Sequence, residues 1–174
     1  MTLTQVRPAG LDLRSGSIIQ VQYTQFTGTS VNSLSGDTVL TDLTVNITPT
    51  STSSIIKLEA MVNGEWGASD ASHESVWFFY RDTTKLSAPE AGSRKVGILS
   101  GTFRSYDASD ASSTPEHAVY SYIDSPSSTS QITYKVGVSQ GLNRSWFLNR
   151  TVADSDAAGF ERGTSLISAT EIAG

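Results

Sequence analysis

The sequence predicts an all-β fold, an antiparallel β-sandwich of jelly-roll type preceded by a short extended arm. Three observations indicate this fold. Apolar and polar residues alternate with a period of two over most of the chain, as they do in half-buried strands. Ser and Thr make up 48 of the 174 residues while charged residues are only 17%, a composition that favours strands and turns over exposed helices. No segment sustains the 3.6-residue period of a helix.

The first sixteen residues differ from the rest of the chain. Their apolar side chains follow neither the strand nor the helix period, and so short a segment cannot bury all of them against itself: Leu3, Val6, Leu11 and Leu13. We therefore predict an N-terminal attachment arm over residues 1–16 and a sandwich domain over residues 17–174. The alternative for the arm is a frayed terminus.

Nine strands are predicted in the domain, each with one face toward the core and the other toward water or a neighbour. The alternation is clearest over residues 19–24, 39–47 and 56–63. Nine strands in about 155 residues fit a jelly roll better than an immunoglobulin-like sandwich, which has about seven strands in 100 residues. The other six candidates are Ser75–Arg81, Val96–Phe103, Ala118–Asp124, Gln131–Ser139, Ser145–Asn149 and Ser165–Ile172.

Composition excludes several classes of protein. The net charge of −5 argues against nucleic-acid binding, which needs a basic face to neutralise phosphates. No apolar run approaches the ~18–20 residues that span a bilayer, so we predict no membrane insertion, and we expect no signal peptide. The chain has no cysteine, which excludes disulfides and thiolate sites.

No pattern in the sequence predicts catalysis, a metal or a cofactor. His73 and His117 each lie beside a glutamate, Glu74 and Glu116, but neither histidine belongs to an HxH or HExxH motif. The GxSxG motif and the phosphate-binding glycine motifs are absent. We interpret two closely spaced pairs of aspartates as solvated loop acids rather than calcium ligands: Asp107 with Asp110, and Asp154 with Asp156.

One predicted strand is aromatic on both faces. Because neighbouring residues of a strand point to opposite sides, one of its faces must belong to the core and the other needs a cover. We predict that the cover is a subunit interface, with a platform for sugar rings as the alternative. The residues concerned are Trp77, Phe78, Phe79 and Tyr80.

Four sets of segments follow one another along the chain. The first is VNITPTSTSS followed by IIKL, and the others are Tyr122–Ser130 with Ile132–Val136, Asn143–Ser145, and Gly163–Ser168 with Glu171–Gly174. In this order and spacing they resemble segments of structural proteins of marine and cyanobacterial phages and of some large algal viruses. In that family an ITPxSTSS run links two strands.

The resemblance implies a non-enzymatic protein of the virion surface, assembled in the host cytoplasm. It implies a homotrimeric knob docked on other virion proteins, a capsid or tail adaptor, by its N-terminal segment. As a short tail fibre the knob would bind host surface glycans, and as a capsid decoration protein it would join neighbouring capsid subunits. A free carbohydrate-binding or glycan-hydrolysing β-sandwich is the alternative function.

Overall fold

The computed structural model describes residues 14–68, 71, 74–104 and 113–174, which form twelve β-strands and no α-helix. Every strand pairing is antiparallel, and the strands form two sheets packed face to face. The predicted antiparallel β-sandwich is therefore confirmed, while its jelly-roll type stays a prediction. Residues 1–13, which include all four apolar side chains of the arm, lie outside the described residues.

The strands are numbered in chain order. They are β1 (Ile18–Phe26), β2 (Ser30–Ser33), β3 (Gly36–Ile47), β4 (Ile55–Trp66), β5 (Ser75–Arg81), β6 (Thr84–Leu86), β7 (Leu99–Ser100), β8 (Phe103–Arg104), β9 (Glu116–Asp124), β10 (Ile132–Gln140), β11 (Ser145–Leu148) and β12 (Ser165–Ile172).

The long strand β4 is the centre of a seven-stranded sheet. It pairs with β12 and β11 along one edge and with β9 along the other; β1 lies beyond β12, β2 beyond β11, and β8 beyond β9. The second sheet has five strands in the order β3-β10-β5-β6, and the short strand β7 also pairs with β5.

The core lies between the two sheets, because alternate residues of each central strand point inward. Leu58 of β4 and Val136 of β10 are fully buried there. At one end Trp66, Trp77 and Trp146 pack against one another, with ring centroids 5.1 to 6.2 Å apart. These three indoles come from both sheets, so they join the sheets at that end.

Two strands have the bounds predicted for them, 75–81 and 165–172. The single strand predicted over Val96–Phe103 is instead two short strands, β7 and β8, separated by Gly101 at a φ of 73°. That conformation suits glycine and interrupts an extended strand. The short strands β2 and β6 were not predicted.

The alternation predicted over residues 39–47 does not hold along all of β3. Its pairing with β10 jumps from Thr44 opposite Lys135 to Leu40 opposite Val136, which leaves three residues of β3 without opposite partners. This bulge changes the phase of the strand, so Leu40 and Leu43 are both buried while Thr41 is exposed.

Candidate functional site

The aromatic strand β5 lies inside the sandwich. Trp77 and Phe79 point into the core, and Phe78 on the opposite face is also fully buried. Within the chain, the Lys85 ammonium lies 4.2 Å from the Phe78 ring centroid, and the Tyr80 ring centroid lies 5.3 Å from it. The second aromatic face thus has a cover of its own, and only Tyr80 is partly exposed. A subunit interface at this strand stays a prediction.

The two sheets differ in what they present outward. The outward surface of the five-stranded sheet is polar and charged, as a solvated sheet normally is. Lys85 pairs there with Asp37 at 2.9 Å, and the Thr133 hydroxyl donates to the Asn46 amide oxygen at 2.7 Å. Lys135 lies beside Tyr80 on the same face.

The outward face of the seven-stranded sheet exposes several large apolar side chains instead. We call it the outer face and define it by the outward residues of β1, β12, β4 and β9. The strand register places Tyr23 beside Ser168, and Met61 between Leu166 and Val119. Six large apolar side chains of this face are 40 to 67% exposed: Ile18, Val21, Tyr23, Met61, Val119 and Ile123.

The middle of the outer face is lined by small and polar side chains. Ser168 on β12 and Ser121 on β9 flank Glu59 of β4, which pairs with Lys57 at 2.8 Å. Because the serines are short, the surface beside the taller pair Met61 and Val119 forms a shallow hollow of about 470 Å³.

Reasoning from the sequence missed this surface, although two signals for it are visible. In β9 both alternating sets contain large apolar residues, with Tyr120 facing the core and Val119 facing out. In β1 the apolar set, which includes Val21 and Tyr23, faces outward, and its inward partners are uncharged. Thr24 is one of these partners, and its hydroxyl donates across the sandwich to the Thr44 carbonyl at 2.6 Å.

The buried carboxylates hold the fold together. Both oxygens of Glu65 accept from backbone N–H groups, Thr114 at 2.9 Å and Val152 at 2.7 Å, so this side chain ties two loops to β4. Glu171 of β12 is fully buried and accepts four hydrogen bonds. Burial opposes its ionisation, but bonds from Ser54, Gln20 and Thr50 outweigh burial and lower the pKa of Glu171.

A third buried carboxylate, Asp124, joins the two sheets. It accepts from the Tyr134 hydroxyl at 2.6 Å and from the Arg81 guanidinium at 3.0 and 3.2 Å. Burial, and then the hydrogen bond to Asp124, raise the pKa of Tyr134. Glu65, Glu171 and Asp124 thus all accept hydrogen bonds from groups of the protein itself, and this arrangement fits a structural role.

The residues weighed as metal ligands or acid–base groups do not converge. Glu116 and His117 are neighbours in a strand and therefore point to opposite faces; the imidazole stacks on Phe103 with centroids 5.0 Å apart. The Arg162 guanidinium holds the pKa of Asp154 below its usual range. Three further candidates lie outside the described residues: His73, Asp107 and Asp110.

The part of the chain that the structure describes contains neither a group of metal-binding side chains nor a membrane-spanning helix. No three His, Asp or Glu side chains there are grouped closely enough to hold a metal ion. Nor do those residues include a helix with the length and hydrophobicity that crossing a bilayer requires.

Comparison with known proteins gives no assignment: no protein-family model matches the chain, and no curated protein does. The likeness to phage and algal-virus proteins therefore depends on the sequence segments described above.

Proposed function

We propose that this chain is a non-enzymatic structural protein of a virion surface. In this proposal three copies form a knob of jelly-roll-like sandwiches, and their N-terminal arms dock the knob on the particle. The knob serves as a short tail fibre or as a capsid decoration protein. The ordered sequence segments that resemble phage and algal-virus structural proteins support this assignment.

The observation that carries the proposal is the exposed apolar outer face. Soluble monomers rarely expose contiguous apolar patches larger than a few hundred Å², and larger patches mark surfaces where proteins associate. The polar face of the opposite sheet serves as an internal comparison, because both faces belong to one chain with one composition. A protein that assembles with copies of itself accounts for this asymmetry.

The arm supplies the second part of the proposal. Burying one apolar side chain is worth roughly 1.5–3 kcal/mol, so four of them docked together can anchor a subunit after the cost of ordering the arm. Three arms in one knob engage the particle together, which raises their effective concentration. The four are Leu3, Val6, Leu11 and Leu13.

The test uses particles of the virus that encodes this chain. We expect deletion of residues 1–14 to leave the sandwich folded and to abolish its incorporation into purified particles. The double substitution Leu11→Asp with Leu13→Asp should act like the deletion, because an unpaired charge is costly to bury. A particle reconstruction with and without the protein then distinguishes a tail location from a capsid location.

Thr2 and Thr4 provide a matched control in sequence, since their change to Asp adds the same charge to the arm without removing an apolar side chain. This control should load normally. Truncated protein that loads at wild-type occupancy would show that the domain docks by its own surface and that the arm is a frayed terminus.

A further inference from the structure

We propose that the outer face is the surface through which copies of this chain join, with the β1 side of one copy against the β9 side of the next. This inference rests on the proposed function, because it specifies how the knob assembles. We define the β1 flank as Ile18, Val21 and Tyr23, and the β9 flank as Val119 and Ile123.

The most exposed apolar side chains of the outer face lie at its two sides, where Tyr23 is 67% and Val119 is 60% exposed. Between the flanks, the register places Ser168, the ion-paired Glu59, and Met61, which is 40% exposed. Two exposed apolar flanks on either side of a lower, more polar middle suit a head-to-tail contact, in which one flank meets the other flank of the next copy and the ring closes.

The flanks also carry no charged side chain. They contain no Asp, Glu, Lys, Arg or His, and on β4 the outward Lys57 and Glu59 pair at 2.8 Å, while the outward Glu65 is buried and accepts two backbone hydrogen bonds. Contact between the flanks therefore leaves no unpaired charge away from water. Interfaces between proteins are likewise poor in charged residues at their centres.

The outer face is shared between two contacts in a ring. Four strands about 4.8 Å apart and about eight residues long make a sheet face of roughly 500 Å² before side-chain relief is counted. In a closed ring each copy makes two contacts, one with each flank, so the two contacts together use the whole face, and each is smaller than the standard interface of about 800 Å² per partner.

The edge strand β1 also favours a neighbouring copy on this side of the sheet. Its far side has no partner strand among the described residues, so a nine-residue strand ends the sheet there. An open edge of this length with apolar side chains can pair with strands of other chains and cause aggregation. Natural proteins usually cover such edges. A neighbouring copy seated on the β1 flank lies next to this edge and limits access to it.

The test is the oligomeric state of four proteins, measured by sedimentation velocity at micromolar concentration, with circular dichroism to verify folding. We expect the wild type to be a trimer. Tyr23→Lys and Val119→Lys should each weaken association by at least about tenfold, as changes at the centre of an interface do. Asn46→Lys, which places the same charge on the polar face of the other sheet, should leave the trimer intact.

A mixture of the two flank variants tests the head-to-tail geometry. The Tyr23→Lys copy keeps a native β9 flank and the Val119→Lys copy keeps a native β1 flank, so one native contact can form between them. We expect the mixture to form dimers at concentrations where each variant alone is monomeric, and to form no trimer. A mixture that stays monomeric, or a wild-type dimer, would overturn the flank-to-flank contact.

The two proposals fail differently. A wild-type protein that sediments as a monomer contradicts the trimeric knob itself. A wild-type trimer that survives both flank substitutions leaves the knob in place and shows that copies join elsewhere. In that case Tyr80→Lys, on the partly exposed edge of the aromatic strand, is the next variant to measure.

Discussion

Glu171 offers a direct test of how the sandwich is held together. Its carboxylate joins three parts of the chain, because Gln20 lies on β1, Thr50 and Ser54 lie in the β3–β4 connection, and Glu171 itself lies on β12. One oxygen accepts three of the hydrogen bonds at 2.6 to 2.7 Å. The other accepts from the Gln20 amide at 2.6 Å.

The substitution Glu171→Gln keeps the shape of the side chain and removes its charge. One amide oxygen can still accept the three bonds, but these become neutral, and the new NH₂ group faces the donor of Gln20. Hydrogen bonds to a charged group contribute about 1.5–3 kcal/mol each and neutral ones about 0.5–1.5 kcal/mol. The substitution also removes the free-energy cost of burying a charge, which offsets part of this loss. We therefore expect the free energy of unfolding to fall by about 2–4 kcal/mol.

Urea unfolding followed by tryptophan fluorescence measures this change, since all three indoles are fully buried. With a slope of about 2 kcal/mol per molar urea, the midpoint should fall by roughly 1–2 M at pH 7. Glu90→Gln is the matched control, because Glu90 is exposed. Its midpoint should stay within the equivalent of about 0.5 kcal/mol.

The pH dependence has a definite sign. The pKa of Glu171 is lower in the folded protein than its ordinary value of 4.5, so the unfolded state takes up the proton first as the pH falls. The stabilisation is fully present above that ordinary value and disappears as the pH falls through the folded pKa. Equal midpoints for wild type and Glu171→Gln at pH 7, or a difference that stays constant from pH 7 to pH 3, would refute the reasoning.

Three further predictions concern the core and the absence of a metal. Gly64→Ala should cost about 2–4 kcal/mol in urea unfolding, because the added carbon would meet the Trp146 ring at 2.7 Å; Gly159→Ala, with open space around it, should be neutral. Tyr134→Phe removes the bond to Asp124 and should cost about 1.5–3 kcal/mol, whereas Tyr23→Phe should have no measurable effect on unfolding. EDTA should leave the melting temperature unchanged, as scanning calorimetry can check.

The period of the sequence was enough to predict the sandwich and most of its strands, but not where the strands change phase. In β3 the three residues inserted opposite Lys135 and Val136 move Leu40 and Leu43 to the same side. A bulge of this kind is set by the pairing with another strand, so the local pattern carries no sign of it. The short strands β2 and β6 also depend on pairing with another strand. Strand β2 pairs with the distant β11, and β6 pairs with β5 across a tight turn.

The candidate site was harder to predict because burial depends on neighbours. The aromatic run at β5 suggested an interface, yet Phe78 is covered by Lys85 from the adjacent strand. Val21 and Tyr23 are the apolar set of the alternating strand β1, yet they face outward, while Gln20 and Thr24 make hydrogen bonds on the inner side. Only the arrangement of strands decides which apolar set is enclosed.

The place of β12 in the sheet affects how the protein folds. This strand is the last one in the sequence, yet it lies between β1 and β4 and pairs with both along its length. Strands β1 and β4 therefore cannot be joined in one sheet until residues 165–172 have been synthesised. Sheets built from such distant pairings fold in milliseconds to seconds. During synthesis, the edges of β1 and β4 that later pair with β12 are exposed to other chains. The yield of folded protein in the cell should therefore depend on the expression rate and on chaperones that shield strand edges.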